Sequence, residues 1–445
     1  MTMRSSLLSI VAALAGVLFT PALSAQHKLS LQDAVTLAVQ HNPELQATNL
    51  EAEKARQGKI AARSLYLPSV YGSAQANHYF QLSPFFGFGD PNPEGKIPYG
   101  RFGGDDQLSA YISAVQPLYN PRAHPTLQQA KLQEEDSHLQ SSAARTATVA
   151  LVKQTYLQVL VLNERIKLQR QSIVRNERVL QDSRSLLIQG KGLRVDTLRA
   201  YTSVKNLEPD LLRLTYAAQT RKLELKTLTG LDSLQDVELT DSLILPAPGT
   251  IPDEETVYNA ARHQNPDIQR ISLQERINEQ QIGIASSARL PVVSAVGQYQ
   301  VQSQTNSFDY GNAYYPTSSY VGLQVSVPIF TGFNNQAKVR QAALGREQSV
   351  LRSQYAYEQL RATVHQVVSG NQESVVRLKT TATVKETAET SYSIVKYRYQ
   401  RGISPRLELT DAELALFTAQ SNYLEAVYDY LSARIALLKI MGQAE

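Results

Sequence analysis

The sequence predicts a mainly α-helical chain with membrane β-strands, built by internal duplication of one unit. Three observations predict it. Landmark residues recur in the same order at nearly constant offsets along 445 residues. The helical stretches are far longer than compact domains use, and their apolar residues are spaced alternately by 3 and 4. The strand stretches hold no charged residue, in a chain that is 19% charged.

Residues 1–25 have the pattern of an export signal. Arg4 gives a positive start, Leu7 to Phe19 a short apolar run, and Ala22, Ser24 and Ala25 the small residues of a cleavage site. Cleavage is expected just before Gln26, with Ala25 as the alternative first residue. The run is too short for a bilayer-spanning helix, and no later segment reaches about 18 consecutive apolar residues. Membrane residence then has to come from β-strands. The chain has no cysteine, which excludes disulfides, thiolate metal sites and a lipid-modified N-terminal cysteine. A net charge of +4, with acids and bases mixed, leaves no footprint for nucleic acid.

The duplication is carried by four landmarks. Asn42-Pro43 recurs as Asn265-Pro266, and Leu67-Pro68 as Leu290-Pro291, both at an offset of 223. The stretch around Pro117 matches that around Pro328 at 211, and Gly190, Asp196, Ala200 and Gly230 match Gly402, Glu408, Ala412 and Gly442 at 212. The offset drops between the two strands of a unit, where a loop is shorter in the second copy. Repeat one (26–230) is expected as a helix over 29–64, strands over 67–82 and 107–118, a long helix over 125–188 and a helix over 197–228. Repeat two (254–442) is expected as 254–288, 291–304, 318–330, 336–398 and 408–440. The stretch 231–253, with Pro246, Pro248 and Pro252, reads as a small packed linker with one short strand.

The last helix shows the seam most fully. Leu409, Ala412, Leu416, Ala419, Tyr423, Ala426, Tyr430, Ala433, Leu437 and Ile440 alternate large residues with alanine, so a neighbouring helix can approach closely. Ala200, Val204, Leu207, Leu211, Leu214, Ala218, Leu225 and Leu228 repeat it in the first unit, interrupted at Arg221 and with a kink expected at Pro209. Each of the two longest helices would extend about 95 Å, as in one elongated body.

The strands alternate. Val321, Leu323, Val325 and Val327 face opposite Tyr320, Gly322, Gln324 and Ser326. Ser69, Ser73, Gln75 and Asn77 form a similar polar face opposite Val70, Ala74 and Ala76. Nineteen of the 33 aromatic residues fall in 66–119 and 299–333, where interfacial girdles belong. An ordinary half-buried sheet is the plainer alternative. Against it, four strands cannot close a barrel, and an open sheet would leave edges in lipid. Three copies would give twelve strands.

Sites for chemistry are not expected. None of the seven histidines forms an H-x3-H pair, no G-x-S-x-G occurs, and "GFGD" at 87–90 opens no helix. His41 and His263 flank the Asn-Pro sites and read as local structure. No catalytic residue, metal site or cofactor is assigned.

The duplicated unit, "NPEL" and "NPDI", "YLPSV" and "RLPVV", "VPIFTGF" and the Gly-x5-Asp/Glu breaks together resemble the TolC-like outer-membrane efflux proteins. The resemblance spans essentially the whole mature chain. It implies a homotrimer in the Gram-negative outer membrane, with a twelve-stranded β-barrel continued by a twelve-helix α-barrel tunnel into the periplasm. The linker 231–253 would sit in a belt around the tunnel. The implied partners are a periplasmic adaptor, an inner-membrane transporter and outer-membrane lipid. The implied activity is passive conduction for efflux or secretion.

The resemblance also implies a gate where the long helices turn, at "IQGKGLRVDTLRA" and "YRYQRGISPRLELTDAEL". Asp196, Glu408 and Asp411 match acids facing the constriction, and Tyr399 matches a bracing aromatic residue. Gly190, Gly402 and the residues after them, Ile403 among these, match the turn surface gripped by adaptors. Gly192-Leu193 is the alternative register in unit one. Where some members carry a basic brace two residues after the turn glycine, this chain has Ser404. Arg401 and Arg406 are both open substitutes. The spacing alone also allows a local reading, because acids in a first helical turn stabilise its exposed N–H groups. A periplasmic coiled-coil adaptor without a barrel is the alternative for the whole chain.

Overall fold

A computed structural model describes residues 27–87, 93–232, 236–243, 251–307 and 310–443. The expected signal at 1–25 lies outside the described residues, as do Phe88, Pro246 and Pro248. Backbone packing divides the chain into two compact units. One comprises Met1–Leu50, Leu139–Arg270 and Tyr355–Glu445, the other Glu51–His138 and Ile271–Gln354, so each draws on both sequence repeats.

Repeat one runs β1 (His27–Leu29), α1 (Leu31–His41), α2 (Pro43–Arg63), β2 (Ser69–His78), β3 (Pro84–Phe86), β4 (Tyr99–Arg101), β5 (Asp106–Tyr119), α3 (Ala123–Ile188) and α4 (Arg194–Thr229). After β6 (Val237–Leu239), repeat two runs α5 (Glu254–Gln264), α6 (Pro266–Ser287), β7 (Val292–Thr305), β8 (Thr317–Ser326), α7 (Asn334–Gln400) and α8 (Arg406–Ile440). The expected helices over 29–64 and 254–288 are each two helices, broken at the Asn-Pro pairs. The reason is local. A residue before proline is driven to extended backbone, and Asn42 and Asn265 adopt ψ of 120° and 118°. Proline then suits the first helical position, which has no N–H to satisfy.

Each asparagine joins two ends of helices. The Asn42 carbonyl side-chain oxygen accepts from the N–H groups of Glu44 and Leu45 at 3.0 and 3.1 Å, while its amide donates to the Leu228 carbonyl at 2.9 Å. Asn265 repeats this with the Asp267 N–H at 2.9 Å and the Ile440 carbonyl at 3.0 Å. The glycines that end α4 and α8 complete the pair. Gly230 and Gly442 have φ of +70° and +76°, and a Cβ would lie 2.7 Å from the His41 and Gln264 carbonyl oxygens. No other residue fits there.

Two duplicated cores follow. Ala34 and Ala38 of α1 pack with Val152 and Tyr156 of α3 and Leu225 of α4. Val257 and Ala261 of α5 pack with Val364 and Val368 of α7 and Leu437 of α8, at the same offsets. Tyr156 breaks the symmetry. It is fully buried, and its hydroxyl lies 2.9 Å from both the Leu29 carbonyl and the Asp241 carboxylate. Burial and the neighbouring carboxylate push its pKa up. This contact fastens the linker, whose strand β6 pairs in parallel with β1, Leu29 opposite Leu239. The α4 helix continues through Pro209, and the buried Gln169 amide donates to the Leu207 carbonyl two residues before it.

The second unit contains a four-stranded antiparallel sheet in the order β2-β5-β7-β8. The strands are shorter at two expected ends, stopping at His78 and Ser326, and β3 and β4 form a separate small hairpin. The register aligns Val70, Ala114, Gly297 and Val321 across one face, with Gly72, Ile112, Tyr299 and Ser319 in the next row. The opposite face aligns Tyr71, Ser113, Gln298 and Tyr320, then Ser73, Tyr111, Gln300 and Ser318. Along β7 the glutamine side chains are linked, Gln298 donating to Gln300 at 3.1 Å and Gln300 to Gln302 at 3.4 Å. Among the described residues no helix is long and apolar enough to cross a membrane.

Candidate functional site: the two inter-helix turns

The turns between α3 and α4 and between α7 and α8 lie in the first unit and have one backbone design. Gly190 has φ +71°, the Gly190 N–H donates to the Leu187 carbonyl and the Lys191 N–H to the Leu186 carbonyl. Gly402 has φ +73°, with the Gly402 N–H on the Tyr399 carbonyl and the Ile403 N–H on the Arg398 carbonyl. Both are Schellman endings, in which a left-handed residue lets the chain reverse while the last carbonyls stay bonded. Gly192 has a different reason to be glycine. A Cβ there would come within 3.0 to 3.1 Å of Leu186 and Leu187.

The next helices start without a capping side chain. Leu193 and Pro405 occupy the cap positions with extended backbone and make no side-chain bond to the first turn. Asp196 and Glu408 are then the third residues of α4 and α8, where a carboxylate offsets the exposed N–H charge. Leu193, Ile403 and Leu407 are exposed, as is Ile188 at the end of α3. The turns therefore show an apolar surface, which includes Leu193 and Ile403.

The cations are distributed in a way that the sequence does not reveal. The guanidinium of Arg398 pairs with Glu408 at 3.2 Å across the α7–α8 turn. Arg406 reaches the other hairpin, donating to the Ser183 hydroxyl at 2.6 Å and the Asp196 backbone carbonyl at 2.5 Å. Arg401 lies over the Tyr397 ring at 5.2 Å. Of the two open substitutes, Arg406 is the one that ties the hairpins, and the acid's own partner is Arg398. Asp411 is exposed and has no ion pair among the described residues. The Tyr399 hydroxyl makes no hydrogen bond within the chain among those residues. Ser404 is buried, and its hydroxyl has no partner among the described residues.

One acid escaped the sequence reading. Glu413 is only 8% exposed, and the Tyr392 hydroxyl donates to it at 3.4 Å. Burial raises its pKa, opposed by Arg175 of α3, by the Tyr392 bond, and by Arg406 and Lys396. Arg175 makes no ion pair with it, and the Arg175 Nε and Nη2 atoms are buried without hydrogen-bond partners among the described residues. The sequence signal was present but faint: Glu413 sits one residue from the seam position Ala412. No group of three or more metal-ligating side chains occurs among the described residues.

Similar proteins give this geometry its context. The family model described as outer membrane efflux protein matches residues 34–231 and 257–443, one match on each repeat. The alkaline protease secretion protein AprF of Pseudomonas aeruginosa is 25% identical over 424 residues, 91% of this chain and 82% of that protein. The outer membrane protein TolC of Vibrio cholerae is 20% identical, covering 93% of this chain and 90% of its own. Among solved structures, the outer membrane protein VceC of Vibrio cholerae superposes with a TM-score of 0.73 at 18% identity, covering 93% of this chain and 97% of its own. A membrane protein from Pseudomonas aeruginosa superposes with a TM-score of 0.77 at 19% identity, covering 92% and 93%. The chain therefore belongs to the outer membrane efflux protein family, the outer-membrane channel components of efflux and secretion systems.

Proposed function

We propose that three copies of this chain close a twelve-stranded barrel and a twelve-helix tunnel, forming a passive conduit gated at its inter-helix turns. The observation that carries this reading is the four-stranded sheet. Among the described residues neither edge, β2 or β8, pairs with a further strand, and the apolar face is exposed, Val321 at 89%. Unpaired edges and an apolar face are intolerable in water but suit pairing between copies inside lipid. The opposite face, with its glutamines and serines, would line a wet lumen.

At the turns, Asp196, Glu408 and Asp411 from three copies would form acidic rings, with Tyr399 bracing the closed state. Like charges at close range repel, so closure needs cations on the acids, and Arg398 supplies one within each chain. Gly190, Gly192, Leu193, Gly402 and Ile403 would present the surface to a periplasmic adaptor, which couples the conduit to an inner-membrane transporter. The reading assigns no catalytic step, cofactor or nucleic acid. The test is the oligomeric mass of the detergent-extracted protein, with electron microscopy of the same particles. A tubular trimer is expected. A monomer soluble without detergent would overturn the reading in favour of a periplasmic adaptor.

A further inference from the structure

Repeat two buries a polar side chain where repeat one buries an apolar one. Asn371 of α7 is 3% exposed, and its counterpart at the 212-residue offset is Val159 of α3, which is fully buried. The duplicated helices therefore pack at this place without needing a polar group. The Asn371 amide nitrogen has no hydrogen-bond partner among the described residues. A buried donor without an acceptor is destabilising, which points to an acceptor supplied by another molecule. Asn371 lines a cavity of about 240 Å³. One side of α8 lines it too, with Tyr430, Arg434, Leu437, Leu438 and Met441 at helical spacing.

Arg434 is exposed, and its side chain makes no hydrogen bond or ion pair among the described residues. The neighbouring acids of α8 are taken: Glu425 pairs with Arg165 at 3.1 Å and Asp429 with Arg377 at 2.9 Å. Arg434 and Leu438 also border a second cavity of about 670 Å³, walled by Leu31, Leu157, Leu160, Leu431 and Ile435. The charged groups there are engaged. Asp241 accepts from the Leu31 N–H at 2.8 Å and the Tyr156 hydroxyl at 2.9 Å, and Lys153 has an interaction partner of its own. We propose that the two adjoining cavities form one binding site for an amphipathic carboxylate, a fatty-acid anion. The Arg434 guanidinium and the Asn371 amide take the carboxylate, and the leucine-lined cavity takes the hydrocarbon chain. One positive charge and two sets of donors match a group with one negative charge and two oxygens. A phosphate has an oxygen and charge more than these donors answer. All the lining residues belong to one chain and one compact unit, so the inference does not depend on the assembly reading above.

The test uses the full-length protein in membranes and a hexadecanoate analogue that carries a diazirine and an alkyne. After irradiation, the labelled peptides are identified by mass spectrometry. Label is expected on the α8 peptide that holds Arg434, and dodecanoate should compete it away. Arg434→Gln should lower this label on the order of tenfold, the loss expected for a charged hydrogen bond, and leave label elsewhere on the chain unchanged. Asn371→Val installs the residue of repeat one, so the variant should fold and also lose label. Its Tm should exceed that of the parent protein when no ligand is added, because an unpaired donor is gone. Added dodecanoate should raise the Tm of the parent and not that of the variant. No label on α8, or label that both substitutions leave unchanged, would overturn the site. Competition by dodecyl phosphate and not by dodecanoate would overturn the carboxylate assignment.

Discussion

The sheet and the inter-helix turns both expose apolar side chains, but on different terms. In the sheet, one face runs Val321, Leu323 and Val325 with no charge among them, and no charged residue interrupts β2, β7 or β8. The one acid at the start of β5, Asp106, is buried against His78 at 2.7 Å. In the turns, the exposed Leu193, Ile403 and Leu407 alternate with Asp196, Arg398, Arg406 and Glu408. A surface without charge is built for a medium other than water. A surface that mixes apolar groups with charges tolerates water, and under the proposed function it is the one a protein partner would grip.

A charge placed where the sheet excludes one should have the strongest consequence. Leu323→Arg should abolish recovery of detergent-extracted trimer, because an arginine on a lipid face costs about 2 to 4 kcal/mol and is repeated in every copy. Gln324→Arg, one residue on and on the polar face, should leave the yield near normal. Equal yields would mean that the two faces do not differ as described.

The converse change removes charge where the turns require it. Glu408→Gln with Asp411→Asn should raise single-channel conductance and weaken block by divalent cations. Conductance and block that both stay unchanged would strip these acids of a gate role and leave them as first-turn helix stabilisers.

A smaller change is expected inside the helical unit. Glu413 has its pKa raised above the ordinary 4.5 by burial. As pH climbs above that value the unfolded chain gives up its proton before the folded chain does, so stability falls with rising pH. Glu413→Gln should therefore raise Tm near neutral pH by on the order of a few degrees. The gain should shrink as pH falls toward 4.5. Facing this acid are Arg175 of α3, Tyr392 and Lys396 of α7, and Arg406 of α8. A gain independent of pH would assign the effect to packing instead.

Much of this fold is periodic, and periodicity is legible in a sequence. The seam from Leu409 to Ile440 is buried or partly buried at every position named from its spacing. The alternation at 320–327 predicted faces that the register of β7 and β8 confirms for Tyr320 to Ser326. Asn42 and Asn265 stand out by repetition as helix starts, but the apolar pattern continues across them, so one helical stretch is expected where the structure has two. The short parallel pairing of β1 with β6 had no pattern to betray it, since three-residue strands carry too little periodicity.

The duplication, the strand faces, the seams and the glycine turns follow from the order of the amino acids, because each depends on neighbours a few residues away. Which arginine serves which acceptor follows instead from how the helices pack. Arg398, Arg401 and Arg406 lie within nine residues, yet one pairs an acid, one covers a ring and one crosses to a residue 223 positions away. Helix packing also decides that Glu413 is buried while Asp411, two residues earlier, is exposed. Those assignments depend on which helix faces which, and no local pattern encodes the orientation of a neighbour some two hundred residues off along the chain.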